Sequence, residues 1–175
     1  MNLFKNIIDI GTGKQYNVVR KKNVRFANSL ALIICCFIVQ NIILSIYYKQ
    51  LVIAFIQLAH FILIALVPFF NHKGKPILAS AWFSSAAIIF VTIYSIIFTL
   101  ESFNFMFLPM IIFLQFFLFS PTEKKYIITF VTVTALCFVS VFVIVNLQES
   151  LLYSIASQRF IKCAAMEHSG RTSHS

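Results

Sequence analysis

The sequence predicts an all-α protein, a polytopic transmembrane helical bundle of about five spans. Three observations carry that expectation. Long apolar stretches at 26–48, 51–70, 77–100, 103–119 and 126–146 fill most of the 175 residues. Each approaches the ~20 residues that a helix needs to cross ~30 Å of hydrocarbon. The composition is 60% hydrophobic and only 11% charged, too few charges to coat a water-soluble surface. The basic residues, finally, cluster in links on alternate sides of the stretches.

Residues 1–25 form the first segment. Asn2–Ile10 places Leu3, Phe4, Ile7 and Ile8 on one helical face, with Lys5, Asn6 and Asp9 elsewhere, which reads as a short helix in the headgroup region. A disordered leader is the plainer alternative. Gly11 and Gly13 end that helix. Lys14, Arg20, Lys21, Lys22 and Arg25 follow. Such a cluster before a first span retains the N-terminus in the cytoplasm, and Arg20, Lys21, Lys22 and Arg25 are expected to meet lipid headgroups.

Orientation follows from that start. The first span, 26–48, runs outward, and Lys49-Gln50 is an external link. The second span returns, so Asn71-His72-Lys73-Gly74-Lys75-Pro76 is cytoplasmic. The third exits to Glu101-Ser102, the fourth returns to SPTEKK (120–125), and the fifth leaves again. The inner side then carries ten Lys and Arg residues and the outer links before the fifth span only Lys49. This places the N-terminus in the cytoplasm. Segment 147–175 fits less well. Leu151–Ile161 is too short to span, and His168–Ser175 reads as a disordered tail.

Within the spans the small pairs Ser80/Ser84 and Ala81/Ser85 allow close helix approach. They suit contact inside the bundle, with a homodimer seam as the alternative. Pro109 is placed to kink the fourth span, and Pro68 and Pro76 bracket the second cytoplasmic link. Intramembrane polar side chains are costly and should face the interior. Gln57 and His60, three apart, together with Gln115 and Asn41, are the candidate ligand-binding residues; interhelical hydrogen bonding is the plainer reading.

Several function classes lose ground. The net charge of +9 lies in links rather than on one face of a folded domain, so the partners are membrane lipids and not nucleic acid. No Asp or Glu sits mid-span, which weakens coupled transport. There is no HExxH, GxSxG or P-loop, no Cys/His ligand spacing and no cofactor motif, so no enzyme, metal or cofactor is expected. Cys35, Cys36 and Cys137 lie within apolar stretches and read as packing residues.

The link Asn71–Lys75, the long third span, Glu101-Ser102, the phenylalanine-rich FNFMFLPMIIFLQFFLF and the link SPTEKK form a recognisable layout. It resembles the six-helix N-terminal membrane region of Bacteroidota-type sensor histidine kinases and class III adenylate/guanylate cyclases. The resemblance covers roughly 20–145 and carries over no catalytic residue. It implies a sensory or anchoring module of a signalling protein in a bacterial inner membrane, cut off before its sixth helix and without an output domain. A small oligomeric transporter or permease subunit is the rival expectation, and a structural subunit of a larger complex a third.

Overall fold

The computed structural model describes the backbone of residues 3–13, 16–98 and 106–171, and their side chains except those of residues 3, 4, 98, 149 and 151–171. Every regular element among them is helical: α1 (Leu3–Ile8), α2 (Val18–Tyr47), α3 (Leu51–His72), α4 (Pro76–Phe98), α5 (Phe107–Leu118) and α6 (Lys124–Arg171), with a 3-10 turn at Pro121–Glu123. Glu101-Ser102 and the start of the expected fourth span lie outside the described residues.

The bundle differs from a soluble protein at its surface, since its core is also apolar, with Ile64, Phe83, Leu108 and Phe119 buried there. Fully buried positions include Asn28, Ser84, Gln115 and Thr134, beside Ala27, Ala31 and Ala79. Large apolar side chains also point outward, among them Phe37, Val52, Phe113 and Leu136, each more than 60% exposed. Water would oppose that distribution and hydrocarbon favours it, because lipid tails solvate Phe and Leu as well as a core does. Four helices are long and apolar enough to cross a membrane, and α5 is a shorter apolar one. The chain is a polytopic helical membrane bundle.

Burial follows helical seams. In α2 it falls on Val24, Ala27, Asn28, Ala31, Ile38 and Ser45, and in α3, apart from Ala54 in its first turn, on His60, Ile64, Val67 and Asn71. These spacings of three, four and seven line one stripe of each helix. Helix α4 lies at the centre and touches α2, α3, α5 and α6. It runs antiparallel to α5. The Ser80 hydroxyl donates to the Leu118 carbonyl (2.9 Å), and one turn deeper the Ser84 hydroxyl donates to Gln115 Oε1 (2.8 Å). The Ser80/Ser84 pair is therefore spent on a seam within the bundle.

Helix boundaries differ from the sequence expectation in instructive ways. Helix α2 begins at Val18 rather than near 26, so Arg20, Lys21, Lys22 and Arg25 are helical. The cause is Asn17, whose side chain accepts from the Arg20 amide at 2.8 Å and caps the first turn. Pro68 lies inside α3, which continues to His72. The Trp82 indole donates to the Leu63 carbonyl (2.9 Å) in the turn Pro68 disturbs. Pro109 does not kink a span. It occupies the first turn of α5, where no intrahelical donor is needed. That helix has 12 residues, about 18 Å, so it is shorter than the span expected over 103–119. Ser120 and Glu123 form a reciprocal capping box with Pro121 at the first helical position.

The C-terminal segment is not a separate short helix. It continues α6, a single helix of 48 residues, about 72 Å long. Residues 147–171 extend it by roughly 37 Å past the expected membrane boundary. Of the tail expected to be disordered, 168–171 is helical and 172–175 lies outside the described residues.

Two Schellman turns reverse the chain. At the end of α3 the Gly74 amide donates to Asn71 and the Lys75 amide to Phe70 (3.0 Å each), with Gly74 at φ 70°. At the end of α2, Lys49 takes the same left-handed role at φ 59°, its amide bonding Ile46 while Gln50 bonds Ser45.

Candidate functional site

The N-terminal segment and both links expected to be cytoplasmic meet at one end of the bundle. Tyr16 Oη donates to the Gly74 carbonyl at 3.2 Å, joining the segment before α2 to the α3–α4 link. Arg20 donates through both terminal nitrogens to Glu123, at 2.9 and 2.5 Å, joining α2 to the α5–α6 link. Lys21, Lys22, Lys73, Lys75, Lys124 and Lys125 stand at this same end, because each lies within a few residues of those contacts. The opposite end of α2 carries Lys49.

The short N-terminal helix docks here. Asn28 is fully buried. Its Nδ2 faces the carbonyls of Ile7, Ile8 and Ile10 at 3.3, 3.1 and 2.9 Å. The Ile7 and Ile8 carbonyls belong to the last turn of α1, where no regular helical donor follows, although Ile7 also accepts the Ile10 amide at 3.2 Å; Ile10 lies just past the helix. Two hydrogens shared among three acceptors make the Ile7 contact the weakest. On its other side Asn28 Oδ1 accepts from Asn71 Nδ2 at 2.7 Å. One amide thus ties α1, α2 and α3 together. Asp9 adds an exposed ion pair to Arg25 (2.7 Å), which contributes at most ~1 kcal/mol.

Gly11 makes this docking sterically feasible. Its φ is +77°, and a Cβ there would stand 2.2 Å from the Asn71 carbonyl oxygen. That carbonyl already accepts the Gly74 amide. The backbone of the N-terminal segment therefore rests on the turn that ends α3.

The Arg20–Glu123 pair is the strongest electrostatic contact of the site. Both side chains are about 12% exposed, and the fork geometry lets two N–H groups meet two carboxylate oxygens. Glu123 Oε2 also accepts the Ser120 amide at 3.0 Å. Glu123→Gln keeps the shape and removes the charge. We expect it to destabilise the bundle by about 2 kcal/mol, the usual scale of a lost charged hydrogen bond. A double-mutant cycle with Arg20→Gln, read by thermal unfolding in detergent, should show coupling. Effects that add within about 0.5 kcal/mol would mean that the pair contributes nothing.

The four candidate ligand-binding residues are not brought together. Asn41 is exposed on α2. Gln57 is half-buried, and its Oε1 accepts the Ser45 hydroxyl at 3.2 Å across the α2–α3 hairpin. His60 stacks on Phe90 of α4, ring centroids 4.1 Å apart and nearly parallel. Gln115 bonds Ser84 and its own helix at the Ile111 carbonyl. Ser84 and Phe90 are six residues apart on α4, about 9 Å along its axis, so Gln115 and His60 occupy different levels. Each of the three inward residues faces a partner within the bundle. Gln57 and His60, one turn apart on α3, turn to different neighbours.

Sequence reasoning missed the residues that do converge. Asn28 is a lone amide at the start of an apolar run, and in the sequence Asn71 and Gly74 read only as parts of a link. The Ser120-x-x-Glu123 capping signature was legible. The Arg20 guanidinium, expected at the headgroups, is held by Glu123 at the same end of the bundle. Among the described residues no group of three or more His, Cys, Asp and Glu side chains could hold a metal.

Fold and site together define a helical membrane bundle whose N-terminal segment is locked onto its basic end. No family model, curated protein or solved structure matches the chain.

Proposed function

We propose that this chain is a membrane-embedded sensory or anchoring module of a signalling protein and is not itself an enzyme. The observation that supports this reading best is α6. One helix packs on α4 and α5 inside the bundle and continues for roughly 37 Å beyond it. A shift of α6 against its neighbours is carried along that length, because a helix transmits rotation and translation as a rigid rod. The locked basic end gives the other helices a fixed frame for such a shift.

The basic end faces the cytoplasm on the positive-inside argument, in a bacterial inner membrane. The continuation of α6 then emerges on the outer side. That side suits anchoring, or reception of an extracytoplasmic stimulus, better than an effector that consumes cytoplasmic nucleotide.

Two measurements test the proposal. Alkaline phosphatase fused after Ser150 should be active, and fusions after Lys75 or Lys125 inactive. The reverse pattern overturns the orientation. In proteoliposomes, solute and proton flux should stay at the level of empty vesicles. Saturable flux above that level would replace this reading with a small oligomeric permease, the rival that the lack of acids and glycines within the apolar stretches disfavours.

A further inference from the structure

An open cleft of about 560 Å³ lies at the basic end, between the segment before α2, the start of α4 and the start of α6. Its rim is polar: Tyr16, Arg20 and Lys75. Its wall is apolar: Ile77, Leu78 and Ala81 of α4. The order along α4 matters. Lys75 precedes the helix, and Ala81 lies more than one turn inside it. The cleft therefore grades from charge to hydrocarbon along the direction in which a bilayer does.

We infer that this cleft binds the head and glycerol region of an anionic glycerophospholipid from the surrounding leaflet. Charge selects the headgroup. Arg20 is already matched by Glu123, which leaves the exposed Lys75 as the cation at the rim. The first-turn amides of Ile77 and Leu78 have no intrahelical acceptors and point the positive end of α4 the same way. A phosphate oxygen meets both. A zwitterionic headgroup would bring its own cation against Lys75 and lose that gain. The acyl chains leave along Leu78, which is 42% exposed, toward the lipid. The volume lies within the ~300–1,000 Å³ typical of small-ligand sites. Occupancy would wedge between the Tyr16–Gly74 contact and α6, so the bound lipid touches the elements that fix the bundle's frame.

Native mass spectrometry of the full chain in detergent tests this, with equal amounts of short-chain phosphatidylglycerol and phosphatidylcholine. The phosphatidylglycerol adduct should dominate. Lys75→Gln should weaken it about fivefold, the effect of one basic residue at an anionic surface, and Lys75→Arg should retain it. Ala81→Trp should weaken it while leaving every charge in place. Lys22→Gln, at an exposed basic residue outside the cleft, should leave it within about twofold. Equal retention of the two lipids, or a Lys22→Gln loss as large as that of Lys75→Gln, overturns the inference. So does displacement of the lipid by millimolar inorganic phosphate, which would mark a site for a soluble anion. Lys75 is exposed, so its variants fold even if Ala81→Trp does not.

Discussion

Replacing Gly11 by alanine should release the N-terminal segment from the bundle. Two costs act at once. The left-handed φ of +77° is worth ~1–2 kcal/mol against an L side chain. The new Cβ also meets the Asn71 carbonyl oxygen and carbon at 2.2 and 2.5 Å. Those are backbone atoms at the end of α3, held by the Gly74 amide, and cannot swing aside. The loss to the whole bundle is nevertheless bounded, because six residues of α1 can let go. The expected signature is therefore local. Hydrogen exchange in nanodiscs should speed up by at least ~30-fold, the equivalent of about 2 kcal/mol, at the Asp9, Ile10 and Thr12 amides. In the native state these bond Lys5, Ile7 and Asp9. Amides deep in α4 should be unchanged. Wild-type exchange at all three would show that the segment does not depend on this contact.

Asn28→Leu is the second large effect, and its reach is wider. The substitution keeps volume but removes the donor that faces Ile7, Ile8 and Ile10 and the acceptor for Asn71. Each buried partner left unsatisfied costs ~1–3 kcal/mol. The α1 carbonyls can reach water once the segment leaves. Asn71, 1% exposed inside the bundle, cannot. We expect about 3 kcal/mol of destabilisation, with faster exchange both in α1 and in the facing turns of α2 and α3. Asn71→Leu in the same background should recover part of it, since an apolar pair is cheaper than half of a polar one. Strict additivity of the two substitutions would mean that Asn28 and Asn71 do not act as a unit.

The expected architecture was readable because hydrocarbon imposes a simple rule. Every spanning backbone must satisfy its own hydrogen bonds, so long apolar runs become helices. The ends were less readable. Asn17 starts α2 eight residues earlier than hydropathy suggests, and among its described residues the Phe-rich run yields the 12 residues of α5. Hydropathy does not register a cap, and Pro109 reads as a kink or as a helix start depending only on where the helix begins. The division at 146 vanished because Leu147–Arg171 holds no proline and only one late glycine, so nothing stops α6 from continuing.

The site was less legible still. Polar residues in apolar runs drew the eye to Gln57, His60 and Gln115, and the fold gave each a neighbour of its own. Asn28, Asn71 and Gly11 are 17, 43 and 60 positions apart in their pairings, and no local pattern links them. By itself the sequence determined a helical membrane bundle with its cations in alternate links, since those follow from composition and period alone. Only the tertiary structure decided that the N-terminal segment rests on the turn ending α3, that Arg20 answers Glu123 and that one buried amide holds three elements. Those choices depend on which helix faces overlap, and small polar side chains contribute too little hydrophobicity to announce their partners in advance.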